Sequence, residues 1–239
     1  MTSVIKRKIG LFGGTFDPVH LGHLRLALEA AESLGLEQVR LLPCHQPPHR
    51  NSPQVESWQR AEMLQLAMGA SPLLRVDERE LGRQGPSYTL ETLQSLRAEL
   101  GLEVSLVWIM GSDAFVHLET WHRWRELLDW AHLLVVLRPG CAMPDQGPLW
   151  DWWQAHRAER VGVLDESPAG SLLVRELRLL PISATEIRAL VQAGQSPAYL
   201  VPERVGRYLQ QHQLYFEASL DSSDSSELMN DTGGKCPQR

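Results

Sequence analysis

Cysteine is scarce in this chain. Cys44, Cys141 and Cys236 are the only three in 239 residues. An odd, widely spaced set argues against a disulfide framework and against a zinc site. Long apolar runs are missing as well. "SLVWIM" and "HLLVVL" have the length of buried strands, far below the roughly 20 residues that span a bilayer, so no membrane association is expected. The N-terminal "MTSVIKRKIG" is charged and has no apolar core, so it does not read as a signal peptide. These absences together point to a reducing, cytoplasmic setting. A strong charge of one sign is also lacking. The formal net charge is -6, and five acids against two bases from Glu217 onward account for about half of it. The remainder is too mild for a nucleic-acid-binding surface, and no nucleic-acid partner is expected. An anionic ligand must therefore be held by local groups. There is no internal repeat.

What is present suits one globular domain: 43% of residues are hydrophobic and 22% charged, ample for a core. "KIGLF", "QVRLLP", "LLRVDE", "VSLVWIMG" and "HLLVVLRPG" read as buried strands. Between them lie helical patterns: from Leu21 with Leu24, Leu28, Ala31 and Leu34, then "WQRAEMLQLAMGA", then "SYTLETLQSLRAEL" ending at Gly101, then a tryptophan-rich helix after "VSLVWIMG". "LWDWWQAHRAE" reads as a lateral helix. "VRELRLLPISATEIRALVQAG" reads as a late strand and a helix, and "VPERVGRYLQQHQLY" as a closing helix. Nearly all-apolar strands alternating with helices predict an α/β fold: a doubly wound, Rossmann-like parallel sheet with a small C-terminal helical part. The expected folded domain is 1–216, followed by a disordered polar tail, 217–239. In such sheets ligands sit beyond the carboxyl ends of the strands.

"GLFGGTFDPVHLGH" lies at such an end. Glycines after a strand let backbone N–H groups approach a ligand, and a helix N-terminus adds unpaired donors and a positive dipole. The stretch is neither G-x-G-x-x-G nor a P-loop, and a glycine turn alone reads equally as a tight turn. His20 and His23, three apart, share one helix face. Both can donate to phosphate oxygens, and either can be cationic there. Gly22 is expected to keep the surface between them open. A single histidine here reads as a cap or surface residue; the pair beside two glycines favours phosphate. In "PISATEIR", Ser183 and Glu186 have capping-box spacing, and Arg188 lies a turn further in. Two helix N-termini with basic side chains suit a polyphosphate.

"GTFDPVHLGH" with "ISATEIR" resembles the nucleotidylyltransferase superfamily and its H-x-G-H signature, and within it the bacterial nicotinate-nucleotide adenylyltransferases. "PCHQPPHR", "ELGRQGPSYTLETL", "IMGSDAF", "TWHRW", "LRPG" and "YLVPERVGRYL" follow in the family's order, over about residues 8–215. The resemblance implies adenylyl transfer from ATP to nicotinate mononucleotide in NAD biosynthesis, with the mononucleotide phosphate attacking the α-phosphorus. It implies His20, His23 and Arg188 on the ATP phosphates. Gly13, Gly14, Thr15 and Phe16 would line the floor, Gly111 and Asp113 would face the adenosine, and Ile182, Ser183 and Thr185 would complete the ATP site. Arg138 would serve the adenylate or an ion pair. Arg50, Tyr88, Thr89 and Trp121 would surround the mononucleotide. No protein metal site is implied; Mg2+ would arrive with ATP. Asp17, before Pro18, reads as fixing the turn. A homo-oligomer is left open. Three positions depart from the family pattern: Arg50 for lysine, Ala184 for a hydroxyl residue and Glu91 for aspartate. Two rival readings remain at this point. One is a sister transferase with another phosphate nucleophile; the other is a nucleotide sensor without catalysis.

Overall fold

The structure, a computed structural model, describes residues 5, 7–46, 53–69 and 71–216. Arg50 and the segment read as a tail, 217–239, lie outside the described residues. Seven strands, β1 (Arg7–Gly14), β2 (Gln38–Pro43), β3 (Leu74–Val76), β4 (Val104–Gly111), β5 (His132–Val136), β6 (Arg157–Ala158) and β7 (Leu172–Arg175), form one sheet. Every pairing is parallel, in the order β3-β2-β1-β4-β5-β7-β6. β4 is buried along its whole length, which is why its sequence is apolar from Leu106 to Met110, rather than alternating, with Ser105 its one polar side chain. Its side chains still alternate between faces: Leu106, Trp108 and Met110 join one core, Val107 and Ile109 the other.

Helices cover both faces. α1 (Leu21–Leu34) and α2 (Ser57–Met68) pack on the first face through Leu26, Ala30, Met63 and Leu64. α3 (Thr89–Leu100), α4 (Ser112–Phe115), α5 (Leu127–Trp130) and α6 (Pro148–His156) pack on the second through Leu93, Phe115, Leu127 and Leu149. α7 (Val163–Glu166), α8 (Ala184–Gln192) and α9 (Glu203–Gln211) return to the first through Leu164, Ile187 and Val205. The strand order reverses between β1 and β4. Their carboxyl ends therefore flank the crevice where open α/β sheets bind ligands.

Three expected elements differ. The tryptophan-rich stretch after β4 is not one helix but α4, two 3-10 turns (118–120 and 124–126) and α5. Its buried residues Phe115, Leu118, Trp124 and Leu127 do not keep one helical stripe, and the chain reorients at Arg123, which has φ +50. The late strand is "LLVR" and ends at Arg175, so "ELRLLP" is irregular. The lateral helix stops at His156, and Arg157–Ala158 pairs with β7 as the sheet edge.

Candidate active site

The turn after β1 is built by close contact. A Cβ on Gly13 would stand 2.6 Å from the Trp108 indole of β4, and one on Gly14 would stand 3.1 Å from the Phe16 ring. Phe16 itself takes φ +51 and is almost wholly buried. Its ring meets Phe12 edge-on at 5.7 Å and His23 edge-on at 5.0 Å. The expected floor residue is thus a wedge beneath the histidines.

His20 is the N-cap of α1 and His23 its third helical residue, and the two cap reciprocally. The His23 N–H donates to His20 Nδ1 at 3.3 Å, and the His20 N–H donates to His23 Nδ1 at 3.3 Å. The rings stack with centroids 3.6 Å apart. An Nδ1 that accepts a hydrogen bond carries no proton, so each neutral ring holds its hydrogen on Nε2. His20 is buried, and desolvation, followed by the charge of Arg138, lowers its pKa to about 4. The expectation that either histidine can be cationic is thereby corrected for His20: at neutral pH it is an uncharged donor. Gly22 also acts differently from expectation. A Cβ there would stand 2.9 Å from His20 Nδ1 and 3.3 Å from the Leu180 carbonyl, so this glycine permits crowding rather than openness. The first-turn donors of α1 are largely consumed inside the protein. Leu21 N–H donates to the Leu200 carbonyl at 2.9 Å, and His23 and Leu24 N–H to the His20 carbonyl.

Three side chains hold this turn from outside. Arg60 of α2, only 1% exposed, donates to the carbonyls of Thr15, Cys44, His45 and Val55. It thereby ties the turn after β1 to the loop after β2. Asp17, 6% exposed, accepts from the Tyr215 hydroxyl at 2.5 Å and from the Gln54 N–H at 3.0 Å, consistent with its reading as a turn residue. Arg188 of α8 donates to the Asp17 carbonyl at 2.7 Å and to Thr185 Oγ1 at 3.3 Å. Ser183 caps α8, its Oγ accepting from the Glu186 N–H at 3.1 Å. Ile182 is partly buried against the first core. The distant segments "GTFDPVHLGH" and "ISATEIR" are therefore in direct contact. Arg60 was not picked out by sequence reasoning. Its signal was a cation at the start of the buried stripe Arg60, Met63, Leu64, Ala67.

The end of β4 forms the third wall. Arg138 Nε lies 3.1 Å from Asp113 Oδ1, so the ion pair weighed for Arg138 is present. Ser112 Oγ accepts from the Arg138 N–H at 3.0 Å and fixes the segment after β5 against β4. Gly111 has no room for a side chain: a Cβ would stand 2.3 Å from Asp113 Oδ1 and 2.7 Å from Arg138 Nε.

The residues expected around the mononucleotide lie at the start of α3. Thr89 opens that helix, Tyr88 precedes it, and the Tyr88 ring packs on His122 with centroids 4.6 Å apart. Trp121, next to His122, is half-buried against the second core. A chain of hydrogen bonds joins this region to the β1 turn. Cys44 N–H donates to the Gly14 carbonyl at 3.0 Å, and His45 N–H to Ser87 Oγ at 3.0 Å. Below, the buried Glu80 accepts from Thr92 Oγ1 at 2.6 Å. Burial raises its pKa, opposed by hydrogen bonds from Thr92 and Ser87.

Among the described residues no group of three or more His, Cys, Asp or Glu side chains is placed to hold a metal ion, and no helix is long and apolar enough to cross a membrane. A cavity of about 390 Å³ lined by Leu137, Met143, Trp153, Arg157 and Arg175 lies toward the β6 edge, apart from this crevice.

Comparison with known proteins agrees with the geometry. Residues 11–190 match the cytidylyltransferase-like family. A probable nicotinate-nucleotide adenylyltransferase of Cellvibrio japonicus is 54% identical over 207 residues, covering 87% of this chain and 98% of that protein. One from Pseudomonas putida is 47% identical over 209 residues, covering 87% and 95%. In fold the chain is similar to a Plasmodium falciparum nicotinic acid mononucleotide adenylyltransferase complexed with NaAD. The TM-score is 0.67 at 14% identity, with 87% of this chain and 97% of that chain covered. The chain belongs to the cytidylyltransferase-like family and, by its high identity to these relatives, to the nicotinate-nucleotide adenylyltransferases within it.

Proposed function

We infer that the chain transfers the adenylyl group of ATP to nicotinate mononucleotide, forming deamido-NAD (nicotinate adenine dinucleotide) and pyrophosphate. The observation that carries this reading is the convergence of two Nε2-protonated imidazoles, His20 and His23, with Arg188 at the switch point of a parallel sheet. The names of the relatives supply the substrate class.

A phosphate monoester is largely ionised near pH 7 and attacks without a general base. The protein's part is alignment and stabilisation of the leaving pyrophosphate. His20 and His23 donate from Nε2 to the triphosphate, the buried His20 without bringing charge of its own, and Arg188 supplies a cation. Gly13, Gly14 and Thr15 bring the backbone close, with Ser183 and Thr185 on the opposite side. Asp113 reaches the ribose hydroxyls, and Arg138 holds that carboxylate in place. Arg50, Tyr88, Thr89 and Trp121 receive the mononucleotide, Trp121 by stacking. The first turn of α3 offers N–H donors and a positive dipole end, which prefer the carboxylate of nicotinate over an amide. Mg2+ enters with ATP and offsets phosphate charge. Among the described residues no cluster of carboxylates is placed to hold it, and phosphates and water would be its main ligands.

The test is to mix the chain with ATP, Mg2+ and either nicotinate or nicotinamide mononucleotide, and to follow pyrophosphate and dinucleotide. Dinucleotide formation with kcat/KM on the order of 10³ higher for the nicotinate form is expected, since a missed polar match costs several kcal/mol. Equal use of the two, or turnover only with another phosphate monoester, overturns the substrate assignment. Nucleotide binding without turnover would favour a sensor.

A further inference from the structure

We propose that Tyr215 is a positioning residue: its hydroxyl occupies the Asp17 carboxylate and so keeps Arg188 available to the triphosphate. The proposal rests on the reading above in one respect, that Arg188 faces ATP phosphates.

Tyr215 follows α9, 198 residues after Asp17. Its backbone is in the left-handed region with φ +66, as is that of Gln213 with φ +50. Non-glycine residues are held there only where the surroundings over-determine them. Here the turn drives the Tyr215 ring into the first core and aims its hydroxyl at Asp17 Oδ1, 2.5 Å away.

Asp17 is a buried carboxylate, and a buried charge takes the best donors within reach. Oδ2 has the Gln54 N–H at 3.0 Å, and Oδ1 has Tyr215. The next donor is the Arg188 guanidinium, whose Nη1 stands 4.0 Å from Oδ2 while bonding the Asp17 carbonyl at 2.7 Å. Arg188 is therefore hydrogen-bonded to the backbone of Asp17 and stands at the outer limit of an ion pair with its carboxylate, with no hydrogen bond to it. Removing the Tyr215 hydroxyl leaves Oδ1 short of a donor. The nearby guanidinium then closes onto the carboxylate, and its charge is spent inside the protein instead of on the substrate. Tyr215 touches neither substrate nor reacting atoms; it acts through the competition for Arg188.

The experiment titrates tripolyphosphate and a non-hydrolysable ATP analogue into the full-length chain by calorimetry, and measures KM for both substrates. Tyr215→Phe is expected to weaken both polyphosphate ligands roughly tenfold, the scale of losing one charged hydrogen bond, with KM for the mononucleotide within twofold of wild type. A role only in folding would lower the melting temperature and the active fraction without moving polyphosphate affinity. In an Arg188→Ala background the same Tyr215→Phe change is expected to have no further effect on polyphosphate binding. An undiminished effect there, or unchanged affinity in Tyr215→Phe alone, overturns the proposal. If Tyr215→Phe fails to fold alone, it is compared within Asp17→Asn, where no carboxylate competes for Arg188. Asp17→Asn with and without Tyr215→Phe are expected to bind tripolyphosphate equally, and a difference above threefold overturns the proposal. These titrations do not need the mononucleotide, so a wild-type chain that binds polyphosphate but fails to form dinucleotide counts against the substrate reading and not against this one.

Discussion

Each Nδ1 of the His20–His23 pair accepts the other residue's backbone N–H at 3.3 Å. One face of the signature thus belongs to the helix, and the proposed reading gives the other to the ligand. The two roles are separable by substitution. His20→Asn retains a side-chain acceptor at the N-cap but has no donor at the Nε2 position. Its melting temperature is expected to stay close to wild type while turnover falls by roughly 10² or more. His20→Ala loses the cap as well and is expected to be about 1 kcal/mol less stable. Denaturation curves and initial rates on both variants check the division. Equal turnover in wild type and His20→Asn would remove that donor from the mechanism.

The same burial gives a pH dependence to stability. The pKa of His20 falls from 6.5 to about 4 on folding. Between these values the unfolded chain binds a proton that the folded chain refuses, so stability is complete above about pH 6.5 and drains away as pH falls toward 4. The shift corresponds to about 3 kcal/mol. His132, buried on β5 with Ser171 N–H donating to Nδ1 at 3.1 Å, is shifted downward mainly by desolvation and contributes with the same sign. Urea unfolding at pH 7.5 and pH 5 is expected to show the loss, reduced in His20→Asn. A wild-type stability that is flat over this range would contradict the buried neutral imidazole.

Gly111→Ala tests the adenosine wall. The added methyl would collide with both Asp113 Oδ1 and Arg138 Nε, and the ion pair has to open. KM for ATP is expected to rise about tenfold, equivalent to about 1.4 kcal/mol, with KM for the mononucleotide little changed. A rise confined to the mononucleotide would place adenosine elsewhere.

Ending the chain after Glu217 tests the proposed domain boundary. The segment from Ala218 onward is polar and has little to bury, so activity and melting temperature are expected to match the full chain. A drop of several degrees would extend the folded domain beyond Phe216.

Much of this architecture is legible in the residues themselves. The apolar run Leu106–Met110 of β4 announces a strand buried on both sides, and the 3.6 period from Leu24 to Leu34 announces α1. Where the pattern loses its period, after Phe115, the fold was misread as one helix, because short turns are set by tertiary packing around Trp124 rather than by local preference. Local spacing also identified Ser183 as a cap. It could not reveal the Tyr215–Asp17 bond, which joins positions 198 apart, nor the burial that makes His20 neutral, since desolvation depends on neighbours that only the folded chain supplies.

Arg60 carries a full positive charge behind the β1 turn and is solvated there by four carbonyl oxygens, with no ion pair among the described residues. Carbonyl dipoles make such a cation tolerable without removing its net charge. In the proposed reading, the part of that charge not offset by the nearby buried Asp17 favours a triphosphate bound over the β1 turn. Mobile ions cannot collect around a charge sealed in the core as they do around a surface lysine. The attraction of Arg60 for a phosphate already seated in the crevice should consequently be less salt-sensitive than the long-range steering of an incoming one.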